Sequence, residues 1–581
     1  MSTKKVRFSC LKMIVVGLFL VAVARLFYVQ IIQHGRYAAE ASETHMKQFT
    51  LTAKRGEVYF SNRDGETSPA ILNERTWTIF VDPSYVKDKE KVEEKLTDIL
   101  GKKMELEWKE IWKDMTRGYV EVAKGVDYKT MMAVKEADLR GVGRKETSRR
   151  IYPAKNLASQ VLGFVNAEGV GTGIEGAMNK RLEGSDGLLK TVTDVNDIPL
   201  SIGDENIEIP AKNGENVVLS IDENVQRKVE KVLATTMYNN SGIRSASAIV
   251  MNPNNGQIYA MANYPTFNPE LYYKETDANV YVNRTTENAY EPASVCKPFT
   301  YAMALNEGKL SPDDTYKNEG KTTVADRVIR NASTSMNMHL GKINFRTALD
   351  YSFNTGSVEV LRRMGDGAIS KDARRTMYDY LYNRFGLGRE TGVELYEATG
   401  KIISPEETEG NAVRYANMTF GQGMNLTMVQ VAAGFASIVN GGQYYQPTIV
   451  AGKLEDGKMI PAGAPETKRQ TISAETSATM REMLREVRSK NGGEYDKEGY
   501  YVGIKTGTAE TYDAKGNYTS DRTVAGAIGF GGVADENAMP QYVVIVRLDG
   551  DTLLWGSQNA VPVFTQISNY MLEYLRLAPR R

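Results

Sequence analysis

Tyr290-Glu291-Pro292-Ala293-Ser294-Val295-Cys296-Lys297-Pro298-Phe299 places a serine three residues ahead of a lysine, with Pro292 before the pair and Pro298 after it. Apolar residues continue at Tyr301, Met303 and Leu305. The stretch reads as a loop entering a helix, with Ser294 near its N-terminus. Residues i and i+3 share a helix face, so Lys297 is expected beside Ser294. A serine hydroxyl becomes a nucleophile when a neighbouring base takes its proton. A lysine whose charge is disfavoured by burial or by nearby positive charge can be that base. The helix N-terminus would add backbone N–H groups facing the reacting centre. The pattern alone is weak, because a chain of this length contains roughly two such pairs by chance. Ser84-Tyr85-Val86-Lys87 and Ser2 to Lys5 also match it.

Two further elements raise its weight. Lys505-Thr506-Gly507-Thr508-Ala509 lies in a β-prone run from Tyr501, and no other Lys-Thr-Gly occurs in the chain. Hydroxyls at alternate positions 506 and 508 share one face of a strand. Gly507 has no side chain, so a substrate backbone could lie against that edge. The strand reads as a rail for a carboxylate. Ser352-Phe353-Asn354 follows a helical stretch; Ser335-Met336-Asn337 and Ser489-Lys490-Asn491 match the same short pattern. Order decides among them: Ser-x-x-Lys, then Ser-x-Asn, then Lys-Thr-Gly is a signature shared by penicillin-binding proteins and class A β-lactamases.

The 581 residues suggest two or three domains. Net charge is zero, which gives no reason to expect nucleic acid. Three histidines (His34, His45, His339) and two cysteines (Cys10, Cys296) show no ligand-like spacing, so no metal is expected. Met13 to Ile32 is an apolar stretch interrupted by Arg25 and Gln30 and preceded by Lys4, Lys5, Arg7 and Lys12. About 20 residues at helical rise span a bilayer core, and the basic cluster keeps the short N-terminus inside. Ala22-Val23-Ala24 resembles a signal-peptide cleavage site, but the apolar residues that continue past it favour an uncleaved anchor. With Cys10 at the cytoplasmic edge, no disulfide to Cys296 is expected.

The expected organisation is a cytoplasmic tail (1–12), a transmembrane anchor (13–32), a pedestal or dimerisation-type domain (33–212) and a catalytic domain (213–581). In the pedestal, helices are expected over Asp88–Gly101 and Lys109–Arg117, and strands over Thr76–Val81 and Tyr119–Val122. After Asn213-Gly214, Asn216–Ile221 reads as a strand and Asp222–Met237 as a helix capped by Asp222. Ser247–Met251 and Gln257–Met261 flank Asn254-Asn255-Gly256, a hairpin signal. Helical stretches follow from Ser294 to about Leu387, and another, Met428–Asn440, ends at Gly441-Gly442. Three late strands (Tyr501–Ala509, Thr523–Phe530, Tyr542–Leu548) precede a last helix, Val563–Leu577. The fold class is therefore α+β: an antiparallel five-stranded sheet flanked by helices, with a helical lobe to one side.

The chain resembles the class B penicillin-binding proteins, the membrane-anchored peptidoglycan D,D-transpeptidases. The likeness runs from the anchor to about Leu577. It is carried by the three motifs, by Phe420-Gly421-Gln422-Gly423 and Asn440-Gly441-Gly442, and by Ser220-Ile221-Asp222 with Gln226. Arg55-Gly56, Arg150-Ile151-Tyr152-Pro153 and Gly173-Ile174-Glu175 carry it through the pedestal. Ala293 stands where the family usually has glycine, Cys296 where phenylalanine is common, and Phe353 where a smaller residue is usual. The small C-terminal repeat modules of some relatives are not expected.

The resemblance implies that Ser294 attacks a D-Ala-D-Ala stem peptide and that Lys297 accepts its proton. Ser352 and Lys505 would relay a proton to the leaving amine, and Asn354 would hold the peptide. Thr506, Gly507 and Thr508 would bind its carboxylate end, with the N–H groups of Ser294 and Thr508 as oxyanion hole. It further implies β-lactams as acylating ligands, a membrane glycosyltransferase as partner, and a single-pass protein of the bacterial cell membrane with its bulk on the outer face. The motifs leave open a D,D-carboxypeptidase, with water as acceptor, and a catalytically silent scaffold. A soluble β-lactamase would be much shorter, and a β-lactam sensor would have more membrane spans. Cys296 reads as a small buried hydrophobe.

Overall fold

The computed structural model describes residues 2–36, 46–166, 168–192, 207–332, 337–464, 466–512, 518–533 and 538–579. His45 and the Ser335-Met336 pair lie outside the described residues. By contacts, residues 1–56 with 183–215 form one unit, and 57–182 with 216–581 another.

The first unit holds the helix Ser2–Phe27, continued by a wider turn over Tyr28–Ile32. Leu11–Ile32 has a mean hydropathy of 2.3 and is not buried against protein. Apolar side chains exposed along a whole helix of this length fit hydrocarbon rather than water. Among the described residues this is the one helix long and apolar enough to span, and it fits a membrane anchor. The same unit has a small antiparallel sheet of Met46–Leu51, Gly187–Val192 and Ile207–Ile209.

The second unit is built on an antiparallel sheet of β1 (Ile243–Met251), β2 (Ile258–Tyr264), β3 (Tyr500–Tyr512), β4 (Tyr518–Val533) and β5 (Tyr542–Gly550), in the order β2-β1-β5-β4-β3. All nine residues of β5 are buried, as a central strand covered on both faces requires. The Lys-Thr-Gly strand β3 is therefore an edge, with a row of backbone groups left free of a neighbouring strand. The helices that matter to the site are α1 (Glu223–Asn239), α2 (Lys297–Asn306), α3 (Phe345–Asp350), α4 (Asn354–Met364), α5 (Met428–Val439), α6 (Ala474–Lys490) and α7 (Val561–Tyr574). Helix α5 is buried on every side, and α6 packs on β3. The expected five strands, their antiparallel sense and the helical lobe are all present.

Local chemistry explains the boundaries. Asp222 caps α1 by accepting from the N–H groups of Asn224 and Val225, and Asp88 caps Lys89–Leu100 by accepting from Lys91; each covers donors that a helix start leaves bare. Thr427 and Gln430 form a reciprocal capping box on α5. Gln226 of α1 uses its side-chain amide as a short mock strand, bonding both the N–H and the C=O of Met261 on β2.

Two expectations need correction, and one strand takes a place the sequence did not assign. The helix over Lys109–Arg117 is only Trp108–Ile111. Asp114 accepts from both the N–H and the hydroxyl of Thr116, an Asx turn that competes with helix. The strand after Asn216 (Val217–Asp222) is not in the five-stranded sheet; it runs parallel to Val58–Ser61 in a second sheet. The helical lobe also carries two small ribbons, Thr315–Asn318 with Gly341–Asn344 and Lys321–Val324 with Arg327–Arg330.

Candidate active site

Ser294 lies in a tight 3-10 turn, Ala293–Cys296, that runs directly into α2. Ala293 has a left-handed backbone (φ 53°), a conformation that disfavours a side chain. Its N–H donates to Gly421 O. Gly421 allows this closeness, since a Cβ there would fall 2.0 Å from Ala293 O. Gly423 N–H donates to the buried Glu291 carboxylate, and Tyr290 exchanges backbone bonds with Leu426. The Phe420–Leu426 segment thus clamps the serine turn from behind.

Ser352 is aimed by the end of α3. Ser352 N–H donates to Leu349 O and Phe353 N–H to Ala348 O, the paired bonds that close a helix through a left-handed residue. That residue is Ser352 itself, at φ 56°. A non-glycine in this region is strained, and such strain clusters at functional positions. Phe353 is fully buried; it backs the loop and does not line the cleft.

Two lysines converge on the Ser352 hydroxyl. Lys297 Nζ donates to Ser352 Oγ at 3.0 Å, to Ser352 O at 2.5 Å and to Asn354 Oδ1 at 2.9 Å. Lys505 Nζ donates to Ser352 Oγ at 2.9 Å and to Thr506 O at 3.1 Å. Asn354 Nδ2 in turn donates to Arg330 O, which fixes its orientation. Both lysines are buried. Burial, and then the charge of Lys505, push Lys297 well below the usual lysine range. Burial pushes Lys505 down to about 7, against the carboxylate of Asp350, which holds it up. Lys297 Nζ is bonded to the Ser352 loop and to Asn354, and among the described residues no hydrogen bond joins it to Ser294 Oγ, beside which the sequence placed it.

The Lys-Thr-Gly strand closes the third side. A Cβ on Gly507 would lie 3.0 Å from Pro292 O and 3.1 Å from Val295 N. The missing side chain therefore serves the approach of the serine turn. Thr506 and Thr508 are half-exposed on the opposite face of the strand. Thr508 Oγ1 accepts from Gly556 N–H at 3.0 Å, and among the described residues no hydrogen bond engages Thr506 Oγ1. Cys296 is buried, and burial pushes its thiol up, so it is inert. His339 is exposed, its ring 4.3 Å from that of Tyr351.

Sequence reading missed Arg330, Gly556, Glu291 as a backbone anchor, and Asp350 with its partner Lys490. Each acts through a contact between segments far apart in the chain, and no local pattern announces such contacts.

A five-stranded antiparallel sheet whose edge strand meets a serine turn and a helical lobe is the architecture of the penicillin-binding transpeptidases. Residues 246–569 match the family model for the penicillin-binding protein transpeptidase domain, and residues 50–219 that for the penicillin-binding protein dimerisation domain. The chain is 30% identical to stage V sporulation protein D of Bacillus subtilis, covering 97% of this chain and 85% of the relative. It is 26% identical to a probable peptidoglycan D,D-transpeptidase PenA of Neisseria meningitidis, covering 100% and 94%. Among solved structures, a peptidoglycan synthetase of Bifidobacterium adolescentis shares the fold at a TM-score of 0.70 and 22% identity, covering 92% of this chain and 98% of that one. The chain belongs to the class B penicillin-binding protein family. It is a transpeptidase, an acyl-transferring enzyme of the cell wall.

Proposed function

We propose that the protein crosslinks peptidoglycan through a serine acyl-enzyme. Ser294 Oγ attacks the carbonyl carbon of the penultimate D-Ala of a stem peptide, giving its proton to Lys297. The N–H groups of Ser294 and Thr508 hold the oxyanion, Thr506 and Thr508 hold the terminal carboxylate, and Asn354 holds the peptide amide. The C–N bond to the terminal D-Ala breaks. Its nitrogen takes a proton passed through Ser352 from the two lysines, and free D-alanine leaves. An amine of a neighbouring stem peptide then attacks the ester and gives a proton to the lysines, the C–O bond breaks, and Ser294 Oγ leaves with a proton taken back from Lys297. The single observation that carries this reading is one hydroxyl, Ser352 Oγ, bonded to two buried lysines. Such a bridge can move a proton between them at little cost. β-Lactams fit as ligands because they offer a strained amide and a carboxylate to the same groups. Water as acceptor would give a D,D-carboxypeptidase side reaction.

On this reading residues 1–12 lie in the cytoplasm, 13–32 cross the membrane, and the pedestal (33–212) and transpeptidase domain (213–581) stand on the outer face, where the substrate is. The names of the relatives favour division or sporulation as the process, and a membrane glycosyltransferase that supplies the glycan strands is the partner this chemistry needs. The test is fluorescent penicillin on membranes carrying the full chain. The wild type takes a covalent label and Ser294→Ala takes none while still binding a D-Ala-D-Ala peptide reversibly. Label on Ser294→Ala overturns the assignment.

A further inference from the structure

The ribbon Lys321–Val324 with Arg327–Arg330 packs on α4 and ends beside the catalytic groups. One of its faces is fixed. Ile329 is buried in one cluster with Val358 of α4, Ala416 and Phe420, and Arg362 of α4 donates to Thr322 Oγ1 and to Thr323 O. Its open end is tied to the start of α4. Asn331 N–H donates to Gly320 O, Thr355 N–H to Asn331 Oδ1, and Asn354 Nδ2 to Arg330 O at 3.0 Å. The same Asn354 side chain accepts from Lys297 Nζ through Oδ1 at 2.9 Å. One amide group therefore separates the backbone of Arg330 from the buried lysine of the serine turn.

Arg330 faces Lys321 in register. Neighbouring positions along a strand point to opposite faces, so both cations lie on the face turned away from Thr322 and Ile329, and both are exposed. Residues directly opposite in an antiparallel pair have Cβ atoms about 4.5–5.5 Å apart, and like charges there are destabilising. Among the described residues neither cation has an ion pair or a side-chain hydrogen bond. The acids nearest them in the chain are engaged elsewhere, Glu319 with Lys317 and Asp326 with Arg327. Two positive charges set side by side at the rim of the cleft, with no acid between them, suit an anion that arrives with the ligand.

We propose that Arg330, with Lys321 beside it, is a specificity determinant: it selects donor peptides that carry a carboxylate on the residue ahead of D-Ala-D-Ala. This rests on the catalytic reading given above, in which Asn354 holds the amide that joins D-Ala to that residue. A group on the residue then lies next to the Asn354 side chain, where the Arg330 carbonyl already is. The guanidinium sits on a long stem and presents paired N–H groups that match a carboxylate, while Lys321 adds a point charge. The terminal carboxylate of the same peptide belongs to Thr506 and Thr508 on β3, beyond Ser352 and Lys505, so the two anions are read from opposite sides of the cleft.

The test compares two penicillins on the full chain in detergent. Benzylpenicillin and carbenicillin differ by one carboxylate on the acyl side chain, which stands where that residue would. Second-order acylation rates are read by chasing with fluorescent penicillin, and the result is the ratio of the carbenicillin rate to the benzylpenicillin rate. Taking the ratio removes any loss common to both ligands, including one that comes through Asn354. In the wild type the ratio falls as salt is raised, because exposed charges are screened. In Arg330→Gln it falls roughly three- to tenfold, between the effect of an exposed ion pair and that of a charged hydrogen bond. It falls further when Lys321→Gln is added, and Arg330→Lys recovers part of it. A ratio that stays at the wild-type value in Arg330→Gln and in the double variant overturns the proposal and leaves the two cations a solvated face of the ribbon. If Arg330→Gln does not fold, Lys321→Gln and the salt series decide, since a ratio insensitive to both refutes it. Acylation that persists in Ser294→Ala overturns the catalytic reading itself. An unmoved ratio in an enzyme whose acylation requires Ser294 overturns only the role of Arg330 and Lys321.

Discussion

Thr506 and Thr508 are alternate residues of one strand, yet their hydroxyls differ. Among the described residues Thr506 Oγ1 has no hydrogen-bond partner, while Thr508 Oγ1 already accepts from Gly556 N–H and has its proton to offer. A hydrogen bond to a charged group contributes about 1.5–3 kcal/mol, and Thr→Val keeps the branched shape that a strand favours. Thr506→Val should lower the second-order rate of penicillin acylation roughly 10- to 150-fold with an unchanged melting temperature. Thr508→Val should show a similar kinetic loss and also a lower melting temperature, because it strands Gly556 N–H at a cost of about 1–3 kcal/mol. Equal, wild-type rates in both would remove the carboxylate rail. Lys297→Arg separates charge from basicity: guanidinium stays protonated at any working pH, so acylation should fall by orders of magnitude while the protein still folds, as read by gel label and circular dichroism together. The residues that carry these tests were legible because each motif is local. Asp350 was not, since its meaning comes from Lys490, 140 positions away, and nothing in Leu349-Asp350-Tyr351 marks the aspartate as buried.

At the scale of elements, β3 and the serine turn are held at backbone contact by two glycines in register. Gly507 faces Gly526 across the β3–β4 pair, and both present their empty side to Val295. The clearances differ. An added Cβ at 507 would press on the rigid backbone of Pro292 and Val295 at 3.0–3.1 Å, while one at 526 would meet Val295 Cγ1 at an ordinary 3.6 Å. Gly507→Ala should therefore displace Ser294 and cut acylation by roughly tenfold or more, as small misplacements of reacting groups do, with far-UV circular dichroism unchanged. Gly526→Ala should acylate near the wild-type rate. Similar rates for the two would show that the turn does not depend on this approach. The strands and long helices could be read from periodicity and caps, and Asp88, Asp222 and Gly441 mark their ends as expected. The four-residue ribbons of the helical lobe could not, because two alternations give no pattern. The serine turn is 3-10 rather than α because Ala293 enters in a left-handed conformation, and that follows from Gly421 lying against it rather than from propensity.

At the scale of the whole molecule, the transpeptidase fold does not end where its motifs begin. Val58–Ser61 is the parallel neighbour of Val217–Asp222. Ala158 N–H donates to Glu230 of α1, Ser68 Oγ to Glu223, and Gln160 Nε2 to the carbonyls of Pro265 and Val280. Phe164 stacks on Tyr272 with ring centroids 3.9 Å apart. Val58, Phe60, Ile71, Leu162, Ile174 and Leu182 belong to the same buried cluster as the sheet β1–β5. Sequence could place a change of character near Asn213 but could not show that strands on both sides of it share one core, because strand partners are chosen by packing rather than by local composition. The consequence concerns truncation. Residues 216–581 produced alone would lose these four hydrogen bonds, of about 0.5–1.5 kcal/mol each. They would also bare the edge of Val217–Asp222 and uncover apolar surface at about 25 cal/mol per Å². Against a typical domain stability of about 5–15 kcal/mol, that loss is decisive. The fragment should aggregate or melt well below residues 46–581, and should acylate slowly even where Ser294, Lys297, Ser352 and Lys505 are all present. Melting by circular dichroism with penicillin labelling of both proteins reads this out. A fragment that melts at the same temperature and labels at the same rate would mean that residues 57–182 cover the catalytic fold without supporting it.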